Sequence, residues 1–104
     1  MASLNEVETG SPIFRAVLSS HIEDLRTAVA NGANLDQRDR LGMTPLLYAV
    51  WRNDLEAVRV LLEAGADPNL PQDSDPSCTP LWHAQEDFGL FDVAAVLKAF
   101  GARL

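Results

Sequence analysis

The feature that most constrains the fold of this chain is an internal repeat. Three segments open with Ser-Pro or Thr-Pro, at Ser11, Thr44 and Thr79, so the spacings are 33 and 35 residues. The two extra residues fall in the stretch DPNLPQDSDPSC, whose prolines and aspartates are typical of a loop. Repeats of this length predict a solenoid, in which stacked units share one continuous core.

Each repeat carries the sequence pattern of two helices. The Ser or Thr is suited to cap a helix, and the proline after it has a φ angle that fits the first helical turn. A reversal follows at Ser20, Asn53 and Gly89. A second, amphipathic stretch then ends at Gly32, Gly65 and Gly101. The pattern predicts a helix, a tight turn and a second helix that stops at glycine in every unit.

This pattern resembles the ankyrin repeat, with T-P-L-x-x-A before a helix pair and G-A-D-x-N after it. The matching residues of the middle unit are Thr44, Pro45, Leu46, Ala49, Leu61, Leu62, Gly65, Ala66, Asp67 and Asn69. The resemblance covers residues 11–104 and implies an all-α fold, an ankyrin-repeat solenoid of three helix-turn-helix units with β-turn-type tips. We predict a polar N-terminal tail and three repeats, over residues 1–10, 11–42, 43–77 and 78–104.

The outer repeats differ from the middle one as capping repeats do. Arg26 is polar in the first unit, and Lys98 in the third stands where the second has Leu62. Polar residues on an outer face keep the end of an array soluble. The third unit also has a heavy aromatic load, at Phe88, Phe91 and Phe100. Two interpretations stay open for these aromatic residues, a plug over the end of the array or a contact with a partner.

The charge and the cysteine content limit the choice of partner and compartment. Fifteen acidic residues against eight basic ones give a net charge of −7, which argues against nucleic acid and anionic membranes and favours a partner with a basic surface. Cys78 is the only cysteine, as is common in reducing compartments. The sequence shows neither a signal peptide nor an apolar run of membrane-spanning length. We therefore expect a cytoplasmic protein that is monomeric when free.

Catalysis and metal binding have little support in the sequence. His21 stands alone in a reversal, and Cys78 and His83 have no further cysteine or histidine close by. Paired carboxylates such as Glu23 and Asp24 are typical of solvated surfaces, and no glycine-rich phosphate loop occurs. We predict a protein without enzymatic activity, with no catalytic residues, no metal site and no cofactor.

The resemblance implies that partners bind to the tips and to the concave face of the first helices. In the middle unit Leu46 and Ala49 lie on the buried stripe, so Tyr48, Trp51 and Arg52 share the opposite face. The predicted contact residues on the helices are Arg15, Leu18, Tyr48, Trp51, Arg52, His83, Glu86 and Asp87. Those at the tips are Arg38, Arg40, Leu41, Met43, Asp73 and Asp75. In the alternative interpretation, Trp51 only packs against the adjoining repeat.

Three functions fit these expectations. The first is a protein–protein interaction module that uses the concave face and the tips. The second is an inhibitor, for instance an immunity-type antidote that neutralises a toxin or an enzyme by covering a basic active cleft. The third is a structural oligomer held together by the aromatic residues of the last unit. An inhibitor abolishes the activity of its partner, whereas an adaptor leaves the partner active.

Overall fold

The computed structural model describes residues 11–87 and 89–103, with the backbone but not the side chain of Asp87. The predicted tail, residues 1–10, and Phe88 lie outside these residues. The helices are α1 (Pro12–Leu18), α2 (Ile22–Ala30), α3 (Pro45–Trp51), α4 (Leu55–Glu63), α5 (Pro80–Trp82), which continues into a π-helical turn (His83–Asp87), and α6 (Phe91–Ala99). Among the described residues, no helix is long and apolar enough to cross a membrane.

The predicted helix caps are confirmed in two units and wrong in the first. The Thr44 hydroxyl oxygen accepts a hydrogen bond from the Leu47 amide at 3.2 Å. Thr79 caps α5 in the same way, through the amide of the third residue after it, at 3.1 Å. Ser11 makes no such bond. Its hydroxyl instead donates to the Gln37 side chain at 3.3 Å, which joins the start of α1 to the segment after α2.

The reversals between the helices have the left-handed backbone that the sequence predicts. The φ angles are 59° at Ser20, 53° at Asn53 and 67° at Gly89. Asn53 adopts this conformation more readily than most residues, and it is followed by Asp54, whose carboxylate caps α4. Each reversal therefore turns the chain back along the preceding helix within a few residues.

One continuous core runs through the three units. Ala16, Ala49 and Ala84 stand at equivalent positions and are all buried, which lets neighbouring first helices approach closely. The second helices add their amphipathic stripes. The largest fully buried side chains are Phe14, Ile13, Leu25, Met43, Leu46, Leu47, Leu61, Leu97, Val17, Val50, Val58 and Val93. Because members of the core come from every unit, no unit is buried by its own residues alone.

The third unit accommodates one extra residue by widening its first helix. In the second unit the Asp54 amide closes the reversal onto the Ala49 carbonyl oxygen, five residues back, at 3.0 Å. The equivalent bond in the third unit joins Leu90 to Ala84, six residues back, at 2.6 Å. The π-helical turn His83–Asp87 holds the additional residue. Such turns are uncommon and arise where a residue is inserted into a helix.

Neighbouring units are also joined by a repeated hydrogen bond. The carboxylate of Asp36 accepts a bond from the Asp67 amide at 3.0 Å. At the equivalent position one unit later, the Asn69 side chain accepts from the Arg103 amide at 2.8 Å. The same backbone group of each following unit is therefore held by a side chain of the unit before it, which fixes the stacking distance.

Candidate protein-binding surface

A row of aromatic rings crosses all three units beside the first helices. Neighbouring rings meet edge to face, with centroids 5.9 Å apart for Phe14 and Tyr48, 6.4 Å for Tyr48 and Trp51, 5.6 Å for Trp51 and His83, and 5.2 Å for His83 and Trp82. Each such contact contributes about 0.5–1.5 kcal/mol beyond the area that it buries. Trp51 is the most exposed member, with 44% of its surface open to solvent. The row therefore holds an exposed indole in a defined orientation.

Tyr48 supports Trp51 and is itself only half exposed. Its hydroxyl donates a hydrogen bond to the Asp39 carboxylate at the base of the first tip. Burial, together with the hydrogen bond and the negative charge of Asp39, raises the pKa of the Tyr48 phenol above its ordinary range. The phenol therefore stays protonated. Asp39 was missed as a positioning residue, although its place in the turn before Thr44 is a signal in the sequence.

Two of the predicted contact residues are buried, and their assignment to the surface is corrected. Met43 is 1% exposed, and it lies buried at the base of the first tip beside Thr44. His83 is 3% exposed, because its ring packs between Trp51 and Trp82. Neither side chain can reach a partner without a rearrangement of the core. The alternative interpretation of Trp51 is also partly right, since its ring packs on His83 of the adjoining unit and still remains half open.

Arg38 joins the two tips, and its role as a partner contact stays a prediction. The side chain is half-buried, and its Nη1 donates to the carbonyl oxygens of Gly42 and Pro71, both at 2.7 Å. The guanidinium group is therefore used inside the protein. It ties the first tip to the segment that enters the second.

The first tip presents an apolar side chain at its end. The Asp39 carboxylate accepts bonds from the amides of Leu41 at 2.9 Å and Met43 at 3.0 Å, and the Asp39 amide donates back to the Met43 carbonyl oxygen at 3.0 Å. This small closed turn leaves Leu41 with 67% of its surface exposed. A rigid apolar side chain at a turn is suited to contact with a partner.

The longer second tip is built from two consecutive turns, which explains where its extra residues go. The Asp75 amide donates to the Gln72 carbonyl oxygen, and the Cys78 amide donates to the Asp75 carbonyl oxygen, both at 3.0 Å. The Asp75 carboxylate accepts the Ser77 hydroxyl at 2.7 Å and the Ser77 amide at 3.1 Å. The pKa of Asp75 is lowered most by the hydrogen bond from the Ser77 hydroxyl. A hydrogen bond from the Cys78 thiol is the second largest cause. Asp75 is exposed, and it also organises the tip.

The remaining predicted residues divide into a surface around Trp51 and scattered positions. Leu18 and Trp51 are exposed at the ends of α1 and α3, and Arg52 is exposed directly after α3. We call these three residues, with the half-exposed Tyr48, the Trp51 surface. Arg52 donates to the Ser20 hydroxyl of the first unit at 3.3 Å. The other exposed residues are Arg15, Arg40, Leu41, Asp73, Asp75 and Glu86. The position of the Asp87 side chain lies outside what the structure describes.

Arg15, a predicted contact residue, lies apart from the aromatic row. It lines a cleft of about 510 Å³ between α1 and α2 of the first unit, together with Asp24, Thr27 and Asn31. The ring next to Tyr48 belongs to Phe14.

Within the described residues, no group of three His, Cys, Asp or Glu side chains is placed to hold a metal ion.

Comparisons with known proteins decide the family. The family model described as ankyrin repeats in many copies matches residues 13–62. The chain superimposes on the ankyrin repeat domain of Bcl-3 with a TM-score of 0.78 and 31% identity, over 85% of this chain and 38% of that one. The chain is an ankyrin repeat protein. The resemblance seen in the motifs and the predicted all-α solenoid are both confirmed.

Further similarities of this ankyrin repeat protein span distant organisms. An ankyrin repeat domain from Acinetobacter baumannii AYE superimposes with a TM-score of 0.77 and 34% identity, over 85% of this chain and 46% of that one. Ankyrin repeat and SOCS box protein 11 of Pongo abelii is 37% identical over 95% of this chain and 29% of its own length. A putative E3 ubiquitin-protein ligase of Arabidopsis thaliana is 33% identical over 86% of this chain and 24% of its own length.

The ankyrin repeat protein thus spans less than a third of the length of these two curated relatives. What it shares with them is the repeat scaffold. Ankyrin repeats generally mediate protein–protein interaction and are typically non-enzymatic. The individual surface residues, and not the scaffold, therefore determine which partner is bound.

Proposed function

We propose that this ankyrin repeat protein binds a protein partner through the Trp51 surface and the two tips, and that it does so without enzymatic activity. The observation that carries the proposal is the exposed indole of Trp51, held by Tyr48 on one side and His83 on the other. Tryptophan, tyrosine and arginine in the middle of a surface are the residues that most often dominate the free energy of binding.

The rigid setting of Trp51 supports a role in binding because little order has to be gained when the partner arrives. The hydrogen bond from Tyr48 to Asp39 holds the ring on one side of Trp51 in place. Arg52 is held near Ser20 but remains exposed. Side chains that are already ordered lose less conformational entropy on binding, so more of their contact energy appears as affinity.

The charge of the chain supports a partner with a basic surface. The net charge is −7, and the second tip exposes Asp73 and Asp75. Since the pKa of Asp75 is lowered, its carboxylate remains ionised throughout the physiological pH range. A negative surface accelerates the encounter with a positive protein and disfavours phosphate backbones and anionic lipids. We accordingly propose neither nucleic acid nor membranes as partners.

The inhibitor hypothesis remains an alternative to the adaptor, and the acidic balance is the observation in its favour. An antidote that covers a basic active cleft uses the same Trp51 surface and tips, and its partner loses activity in the complex. An adaptor leaves the partner active. An activity assay of the captured partner, with and without this protein, separates the inhibitor from the adaptor.

We further propose a cytoplasmic location, since Cys78 as the only cysteine cannot form an internal disulfide.

The proposal is tested by affinity capture from extracts of the source cells, followed by titration of the captured protein. We expect Trp51→Ala and Arg52→Ala to weaken binding, the former at least about tenfold, which corresponds to about 1.4 kcal/mol. Arg59→Ala is the matched control, because Arg59 is exposed on α4, a second helix.

The fraction of folded protein must be measured for every variant. Trp51→Ala removes two ring contacts, and each contributes about 0.5–1.5 kcal/mol, so part of any loss reflects stability. Affinities are therefore expressed per folded molecule, with the folded fraction taken from circular dichroism. Equal affinities of Trp51→Ala and Arg59→Ala on this scale would refute the Trp51 surface as the binding site.

A further inference from the structure

Helix α6 carries an exposed apolar face on the last unit. The exposed residues of α6 are Phe91, Asp92, Ala95, Lys98 and Ala99, and the 3.6-residue period places them on one side of the helix. Phe91 has 75% of its surface exposed, more than Leu41 at the end of the first tip. Since three-quarters of its surface is exposed, Phe91 covers little of the core, which favours a contact with a partner over a plug.

At the position of Phe91, the other two units have apolar residues that are partly covered. Ile22 and Leu55 stand where Phe91 stands, and both are half-buried against the core. The opposite side of α6, with Val93 and Leu97, is buried. Helix α6 is thus apolar around most of its circumference, and a helix of this kind is typically covered on both sides.

We infer that this face pairs with the same face of a second copy of the chain. In an antiparallel pair of α6 helices with a two-fold axis at Ala95, Phe91 lies opposite Ala99 of the second copy. In the same register Asp92 lies opposite Lys98 of the second copy. The face is therefore complementary to itself in both size and charge, as an isologous interface has to be.

The chemistry of each position suits this pairing. Alanine at the crossing point lets two helices approach to the shorter end of the usual 8–10 Å interaxial range. The large Phe91 ring covers the small Ala99, and its removal from water is the main favourable contribution. The two exposed Asp92–Lys98 pairs add little energy and mainly select the antiparallel register.

The dimer goes beyond the proposed function and leaves its surface open. Trp51 lies on α3, a first helix, and contributes nothing to the pairing of α6. A dimer would hence present two copies of the Trp51 surface and could bind a bivalent partner with higher avidity. The exposure of Phe91 is the reason to replace the expected monomer by a dimer.

The first test is the mass of the protein in solution. Sedimentation equilibrium of the intact chain, from micromolar to millimolar concentration, is expected to show a shift from the 11.3 kDa monomer to twice that mass. Phe91→Asp is expected to remain monomeric throughout. Leu41→Asp is the matched control, since it alters another strongly exposed apolar residue, and it is expected to dimerise like the unaltered chain. A monomer at every concentration, or the same behaviour in both variants, would overturn the proposal.

A charge-reversal experiment tests the register itself. Asp92→Lys and Lys98→Asp each place like charges opposite one another, so each variant should dimerise at least about tenfold more weakly. Mixing the two variants, or combining both changes in one chain, restores opposite charges and is expected to restore dimerisation. Dimers that form without sensitivity to these changes would overturn the antiparallel pairing. Because all of these positions are exposed, circular dichroism of the variants should be unchanged.

Discussion

The Asp73 amide donates a hydrogen bond to the Gly42 carbonyl oxygen at 3.1 Å, and this contact locks the second tip against the first. The backbones approach so closely that a Cβ atom on Gly42 would lie 2.5 Å from the Asp73 Cβ. Gly42 also has a φ angle of +77°, which side chains rarely adopt. Both its conformation and its neighbour therefore require glycine at this position.

We expect Gly42→Ala to lower the free energy of unfolding by about 2–4 kcal/mol, through left-handed strain together with the clash with Asp73. Gly32→Ala is the matched control, because Gly32 has a φ angle of +84° but no atom within 4 Å of an added Cβ. The control should lose only the strain, about 1–2 kcal/mol. Urea denaturation of both variants provides the measurement. Equal losses would mean that the contact between the tips does not constrain Gly42.

Arg38 contributes to the same junction between the tips. Replacement by methionine keeps the aliphatic bulk but removes two hydrogen bonds to backbone carbonyl oxygens. Since the donor is charged and the groups are half-buried, we expect Arg38→Met to destabilise the protein by about 1.5–3 kcal/mol. Arg59→Met on α4 should change stability by no more than about 0.5 kcal/mol, because Arg59 is exposed. Thermal unfolding of both variants at the same pH measures these changes in stability, and equal changes would contradict the role of Arg38 at the junction.

The hydrogen bond from the Tyr48 hydroxyl to the Asp39 carboxylate predicts which of two substitutions destabilises the protein more. Tyr48→Phe keeps the ring contacts with Phe14 and Trp51 and removes one hydrogen bond, so we expect a loss of about 1.5–3 kcal/mol. Asp39→Ala should cost more, because the carboxylate also accepts two backbone amides of the tip. Chemical denaturation of the two variants gives the order, and a larger loss for Tyr48→Phe would contradict the assigned role of Asp39.

The sequence predicted the repeat scaffold because its signals are local. A threonine cap, a proline and a terminal glycine act within a few residues, so Thr44, Pro45 and Gly65 indicate the helix boundaries without knowledge of the tertiary structure. The position of Trp51 on an exposed face also followed from helix periodicity. These inferences use only the geometry of one helix and the spacing between units.

The features that the sequence did not reveal concern side chains whose environment is made by another unit. Arg38 becomes a clamp only because the second tip brings Pro71 beside the first. His83 is buried because the π-helical turn and Trp51 enclose it, and one inserted residue does not reveal where a helix will widen. Contacts between distant segments of this kind have no sequence pattern of their own, so the environments of Arg38 and His83 could not be predicted.

The lowered pKa of Asp75 gives a pH-dependent prediction for the second tip. The Ser77 hydroxyl is its largest cause, so Ser77→Ala should raise the pKa of Asp75 towards the ordinary value of about 3.9. A carboxyl group with a lowered folded-state pKa stabilises the folded protein above its unfolded-state pKa, and this stabilisation is lost as the pH falls through the folded-state pKa. In the Ser77→Ala variant, the stabilisation of the folded protein by the Asp75 carboxylate should therefore be lost at a higher pH than in the unaltered chain. Carbon-13 NMR titration of the Asp75 carboxyl group measures this, with Ser74→Ala as the control from the same tip. An Asp75 pKa that is the same in both variants would show that the Ser77 hydroxyl does not stabilise the carboxylate.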